Sequence, residues 1–83
     1  MGKVIDVKLL RSGQVRRYGD IEYAYEVRVD EMTMEDVEKY CKENVRKCDY
    51  KVGEGRPWYE GYYKIDFIGD GKYAYTVREP YLD

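Results

Sequence analysis

One stretch of the chain constrains its fold more than any other. The segment IEYAYEVRVD, Ile21 to Asp30, alternates apolar and charged or small side chains along its length. Period-two alternation is typical of a β-strand with one face on a core and the other in solvent. Such a strand needs a second layer to cover its apolar face. Its predicted core-facing residues are Ile21, Tyr23, Tyr25, Val27 and Val29.

An earlier segment, VIDVKLL at residues 4–10, is rich in β-branched side chains and predicts another strand. The polar stretch at residues 11–20 leaves two alternatives open. It is a long connection, or it extends both strands toward a turn at Ser12–Gly13. The residues expected to share one face of the first strand are Ile5, Val7 and Leu9.

The segment TMEDVEKYCKENVRKC, residues 33–48, predicts the helix. Thr33 followed by Asp36 resembles a capping box, with aspartate in place of the usual glutamate. Acidic residues crowd the first turns and basic residues the last, which matches the helix dipole. The apolar stripe consists of Met34, Val37, Tyr40, Cys41, Val45 and Cys48.

The two cysteines, Cys41 and Cys48, are seven positions apart on this predicted helix. That spacing corresponds to roughly 10 Å along the helix axis. A disulfide does not span that distance, so we expect two buried, reduced thiols.

The segment YYKIDFIGDGKYAYTV, residues 62–77, predicts a β-hairpin. A three-residue loop at residues 69–71, with Gly71 left-handed, keeps the apolar residues on one face. A two-residue loop would divide them between two faces. We expect Pro80 to end the last strand. The predicted cross-strand pairs are Phe67 with Tyr73, Ile65 with Tyr75, and Tyr63 with Val77.

The order β-β-α-β-β predicts a single α+β domain over residues 1–83, with one helix packed on a four-stranded sheet. This order resembles the β-grasp arrangement of ubiquitin and of the small immunoglobulin-binding domains of bacterial surface proteins. The resemblance implies that the first and last strands lie parallel in the middle of the sheet. An all-antiparallel sheet with the same element order is the alternative.

The residues of serine–histidine, cysteine–histidine and histidine–metal sites are missing from the sequence, and nothing singles out a catalytic pair among its seventeen carboxylates. There is no histidine, Ser12 is the only serine, and the glycines of GEGRPW lack a following GK[ST]. We therefore predict no enzymatic activity, cofactor, metal or small-molecule substrate. No apolar run reaches about 18 residues, so we expect no membrane contact. The predicted location is the cytoplasm, which is the host cytoplasm if the gene belongs to a phage.

The aromatic rings divide into two groups. One is expected in the core, where tyrosine replaces phenylalanine: Tyr23, Tyr25, Tyr40, Tyr63, Tyr73 and Tyr75. The other lies in loops, in the tail or on the outer sheet face: Tyr18, Tyr50, Trp58, Tyr59, Tyr62 and Tyr81. Rings with glycine and arginine around them are typical of binding surfaces. For Trp58 two hypotheses stay open: a lid over one end of the core, or a surface anchor.

Charge is distributed in blocks although the net charge is only −2. Residues 20–38 contain eight acidic residues and one arginine, whereas residues 3–17 contain five basic residues and one aspartate. Carboxylates spaced along a strand can imitate a row of phosphates and occupy a basic groove. The acids predicted to contact a basic partner are Glu22, Glu26, Asp30, Glu31 and Glu35.

These features favour a small protein-binding module anchored by Arg56, Trp58, Tyr59 and Tyr62. Its partner would be a larger protein or nucleoprotein with a basic surface. Such a chain is similar in kind to phage or mobile-element inhibitors of host defence, anti-CRISPR proteins among them. The alternative is a single-stranded nucleic-acid binder that uses Arg11, Arg16 and Arg17 with the exposed rings. A housekeeping adaptor or a toxin–antitoxin partner is a third possibility.

Overall fold

The computed structural model describes residues 2–15 and 19–81, and its elements follow the predicted order. The four strands form one sheet, and the helical segment packs on one of its faces. The predicted two-layer α+β class is therefore confirmed. The elements are β1 (Lys3–Gln14), β2 (Ile21–Asp30), α1 (Met34–Tyr40), a π-helical turn (Cys41–Val45), β3 (Tyr62–Gly69) and β4 (Lys72–Glu79).

The strand order corrects the β-grasp resemblance. The order is β1-β2-β4-β3 and all neighbours are antiparallel, so β2 and β4 occupy the centre. The all-antiparallel alternative is correct. Central strands need apolar side chains for the core, which β2 and β4 supply. By contrast β1 carries Asp6 and Lys8 and has no buried residue.

β1 lies at an edge and departs from the predicted alternation. Shifts of register at Ile5 and Leu10 place bulges there, so Ile5 does not continue the alternation with Val7 and Leu9. Val7 and Leu9 lie opposite Val27 and Tyr25 on the helix side of the sheet. They are nevertheless 36% and 51% exposed, because the helix does not extend over β1.

The undecided stretch at residues 11–20 is resolved in favour of longer strands. β1 runs on to Gln14, and Ser12 and Gly13 pair with Tyr23 and Glu22. The suggested turn at Ser12–Gly13 is therefore wrong. The connection lies between Gln14 and Ile21, where the Val15 N–H donates to the Asp20 carbonyl at 2.8 Å.

The helix begins as predicted and ends earlier. The Thr33 hydroxyl accepts from the Asp36 N–H at 3.2 Å, and the Asp36 carboxylate accepts from the Thr33 N–H at 3.4 Å. This reciprocal pair confirms the capping box. The helical segment stops at Val45, so Cys48 lies beyond it and the two cysteines do not share a helix. Both thiols are buried and free, as expected.

Tertiary contacts of Arg46 explain the early end. Its backbone is extended, with φ −154° and ψ 116°. Its guanidinium lies 3.4 Å from the centre of the Tyr23 ring and donates to Glu79 at 3.1 Å. Its carbonyl accepts a 2.8 Å hydrogen bond from the Tyr75 hydroxyl. The Arg46 N–H still donates to the Cys41 carbonyl at 3.1 Å, so the tertiary contacts draw only its carbonyl and its side chain away from the helix.

The β3–β4 hairpin has the predicted register, with Phe67, Ile65 and Tyr63 opposite Tyr73, Tyr75 and Val77. The loop that produces this register has two residues, Asp70 and Gly71, rather than the predicted three. Asp70 and Gly71 have φ of 52° and 69°, as a two-residue type I′ turn requires, and a bulge after Phe67 restores the apolar pairing. Gly71 has the predicted positive φ.

The core lies between the helical segment and strands β2, β4 and β3. Three of the six tyrosines predicted for the core, Tyr63, Tyr73 and Tyr75, are buried. The other three are partly buried. The buried residues of the core are Val27, Val29, Val37, Cys41, Cys48, Tyr63, Ile65, Tyr73, Tyr75 and Val77.

Candidate functional site

Two exposed aromatic side chains lie next to each other on a turn just before β3. The Glu60 N–H donates to the Pro57 carbonyl at 3.0 Å, which makes Trp58 and Tyr59 the two central residues of the turn. Trp58 is 77% exposed and Tyr59 53%. Trp58 therefore does not cover the core, and the lid hypothesis is wrong. We call residues 56–60 the aromatic loop.

Hydrogen bonds from Arg56 hold the aromatic loop in place. Its guanidinium donates to the carbonyls of Pro57 and Glu60. It also lies 4.5 Å from the centre of the Tyr62 ring, which is part of β3. Trp58 and Tyr59 meet edge to face, with ring centres 5.6 Å apart. The two exposed rings are thus ordered in advance, which lowers the entropy lost when a partner binds them.

Next to the aromatic loop, a groove of about 330 Å³ crosses the sheet face that the helix leaves open. The groove contains three basic and two acidic side chains around one tyrosine, and β1, β2, β4 and β3 all contribute to it. Its lining residues are Arg11, Glu22, Val52, Tyr62, Lys64, Asp66, Thr76 and Arg78.

Glu22 joins two arginines across three strands of this groove. One carboxylate oxygen accepts from Arg11 at 2.9 Å and 3.2 Å, and the other accepts from Arg78 at 2.9 Å. The hydrogen bonds from Arg78 and then Arg11 lower the pKa of Glu22 below its usual value. Glu22 therefore stays ionised at neutral pH, and the three side chains together carry one net positive charge.

The five acidic residues predicted to contact a partner do not form one surface. Glu22 is in the groove, and Glu26 lies near Lys72, with 3.7 Å between the carboxylate and the ammonium. Asp30, Glu31 and Glu35 are exposed at the far end of β2 and the start of the helix. No described residue forms an ion pair with these three. Asp30 lies eight positions after Glu22 along β2, which corresponds to about 26 Å.

Arg11 and Tyr62, which the nucleic-acid alternative combines, line the same groove. Arg16 and Arg17 lie outside the described residues, as does Tyr18. Sequence reasoning missed Arg78 and Lys64. Alternation in β3 and β4 places both on the outer face, but their proximity to Arg11 depends on the strand order. That order is not readable from local patterns.

Within residues 2–15 and 19–81, no three cysteine or carboxylate side chains converge as metal ligands. Burial raises the pKa of Cys41 to about 12, so this thiol is not a nucleophile at neutral pH. Over the same ranges, no helix has the length and apolar character that crossing a bilayer requires.

The chain matches no protein-family model, no curated protein and no solved structure.

Proposed function

We propose that this protein is a non-enzymatic binding module that occupies the surface of a larger protein or nucleoprotein. The observation that carries the proposal is the aromatic loop, where Trp58 and Tyr59 are exposed and held in place by Arg56. Tryptophan, tyrosine and arginine are the residues that most often dominate binding energy. Trp58 and Tyr59 act as the anchors, and Arg56 and Tyr62 support them.

The partner has a basic surface. Asp30, Glu31 and Glu35 leave three exposed carboxylates without an ion-pair partner among the described residues, about 26 Å from the groove. A partner that meets both the aromatic loop and these acids must be wide, which favours a large protein or assembly. The carboxylates accelerate encounter with a basic surface more than they add affinity.

The specific role that we propose is inhibition of a host defence nucleoprotein in the cytoplasm, in the manner of anti-CRISPR proteins of phages and mobile elements. Short length, an acidic balance and exposed anchoring rings support it. Such an inhibitor needs no catalysis, because occupying the nucleic-acid groove of its target is sufficient.

A pull-down from host lysate, with and without nuclease, tests the proposal. The bait is the wild-type protein or the Trp58→Ala/Tyr59→Ala variant. We expect a nuclease-resistant, stoichiometric protein that the variant binds at least about thirtyfold more weakly, the effect of losing about 2 kcal/mol. The melting temperature should stay near wild type, because neither ring packs on the core. Ile68→Ala, which removes a 52% exposed side chain at the other end of β3, is the matched control.

A large loss of stability with unchanged binding would contradict the assignment of these rings as anchors. The acidic residues are tested separately once the partner is captured. Asp30→Lys/Glu31→Lys/Glu35→Lys should slow association, mainly at low salt. An association rate equal to wild type at low salt would show that these three acidic residues do not attract the partner.

One observation favours a second candidate function, binding of single-stranded nucleic acid. Arg11, Lys64 and Arg78 line one groove with Tyr62, close to the two exposed rings. Basic side chains that follow a backbone, with rings on which bases stack, are the usual features of such sites. If this function is correct, capture vanishes with nuclease. Arg78→Ala then weakens binding to a labelled oligothymidine, with a smaller dependence on salt.

A further inference from the structure

We propose that the free edge of β1 pairs with β1 of a second copy of this chain. The pairing is antiparallel and centred on Val7, so that two four-stranded sheets join into one sheet of eight strands. Among the described residues, no strand pairs with the outer edge of β1. This proposal stands independently of the partner proposed above.

β1 exposes more apolar surface than its single neighbouring strand can cover. Ile5 is 54% exposed, and Leu9 and Leu10 are each 51% exposed. A long edge strand with exposed apolar side chains is a template for pairing with another chain. In the register centred on Val7, the two Val7 side chains face each other, and Leu9 lies beside the bulged Ile5 of the second copy.

The charges of β1 select this register and a second copy as the occupant. Asp6 and Lys8 lie opposite Arg28 and Glu26 of β2. Centring on Val7 places Asp6 opposite Lys8 of the second copy, twice by symmetry. Charges then alternate across four strands, from Arg28 and Asp6 of one copy to Lys8 and Glu26 of the other. Centring on Asp6 or on Lys8 would instead place identical charges opposite each other, which is unfavourable.

The remaining like-charge approach in this register, Lys3 to Arg11, is partly compensated within each copy. Lys3 lies opposite Asp30, and Arg11 is bound to Glu22. Both cations therefore have a carboxylate close by. The register places no acidic side chain opposite another acidic one.

The same geometry limits the assembly to two copies. The bulges at Ile5 and Leu10 restrict regular pairing to residues 6–8, so we expect a weak, concentration-dependent dimer. Once the two β1 edges are paired, the outermost strand of each copy is β3. The backbone of Lys51 already forms a parallel β-bridge with Tyr63 in the first half of β3, and the Val52 N–H donates to the Tyr63 carbonyl at 2.8 Å.

Light scattering during size exclusion, from micromolar to millimolar concentration, tests the proposal. Wild type should shift toward twice its 10.0 kDa mass. Asp6→Lys and Lys8→Asp should each raise the dissociation constant by at least about tenfold, because like charges then face each other. An equimolar mixture of the two variants should restore the dimer, since positions 6 and 8 of one variant then face opposite charges on the other. Lys64→Asp and Asp66→Lys have the same spacing on the other edge strand, and they should leave the dissociation constant of the dimer unchanged.

Rescue on mixing separates a lost contact from a damaged fold, because a misfolded variant is not restored by another variant. Wild type that stays monomeric to about 1 mM, the limit of a weak association, would overturn the proposal. A dimer that neither substitution weakens, or variants that mixing does not rescue, would overturn it as well.

Discussion

The two edges of the sheet differ sharply in how they are attached. β3 contributes Tyr63 and Ile65 to the core and is bridged on its outer side by Lys51. β1 is longer, with twelve residues against eight, yet none of its residues is buried. Hydrogen bonds to β2 hold it in place, and of its side chains only the partly buried Val4 packs against the core. Strand length and propensity therefore say little about which strand supports the fold.

The same division separates folding from binding. Residues that stabilise the domain lie in the helical segment, β2, β4 and the first half of β3. Side chains that are free to meet another molecule lie on β1 and on the aromatic loop. Changes in the first group should unfold the protein, and changes in the second group should alter only what it binds.

The largest contrast should come from Tyr75→Ala against Leu9→Ala. Tyr75 is fully buried at the centre of the core, whereas Leu9 is half exposed on β1. We expect Tyr75→Ala to lower the free energy of unfolding by about 3–5 kcal/mol and Leu9→Ala by less than about 1 kcal/mol. Urea denaturation monitored by circular dichroism measures both. Equal losses would mean that Leu9 of β1 contributes as much to the core as Tyr75 of β4.

A closer comparison uses two valines that face each other across strands. Val27 in β2 is fully buried, and its partner Val7 in β1 is 36% exposed. Val27→Ala should cost about 2 kcal/mol, and Val7→Ala about 0.5 kcal/mol. The measurement is the same denaturation experiment, made at low concentration so that association does not contribute. A Val7→Ala loss that matches Val27→Ala would contradict the difference between the strands.

The smallest effect concerns acid pH. Hydrogen bonds from Arg78 to Glu22, and from the Tyr63 hydroxyl to Glu38, lower the pKa values of both carboxyls below 4.5. Carboxyls with a lowered folded-state pKa stabilise fully above the unfolded pKa, and this stabilisation is lost as the pH falls through the folded pKa. Glu22→Gln and Glu38→Gln should each flatten the loss of stability below about pH 4.5, by at most about 1 kcal/mol. Unfolding curves that keep the wild-type pH dependence would contradict these pairs.

Local patterns predicted the parts of the fold that depend on local physics. The capping box at Thr33, the positive φ at Gly71 and the β3–β4 register follow from neighbouring residues. The helix end did not, because Arg46 leaves the helix for contacts with Tyr23 and Glu79. The strand order and the bulges of β1 also depend on distant partners.

The candidate site divides in the same way. The sequence placed the exposed rings in a loop, because glycine and proline surround Trp58, but it left open whether Trp58 covers the core or is exposed. The groove could not, because Arg11, Glu22 and Arg78 meet only when β1, β2 and β4 are neighbours. A row of acids on β2 was visible from alternation, but its arginine partners on adjacent strands were not.

Hydrogen exchange of the backbone amides, at low protein concentration, tests the division between a supporting core and a free edge most directly. Amides of β4 should exchange only through global unfolding, at the full free energy of the domain. Amides of β1 should exchange through a local opening of much lower free energy. Equal protection of β1 and β4 in the monomer would contradict the account, because it would show that the two unfold together.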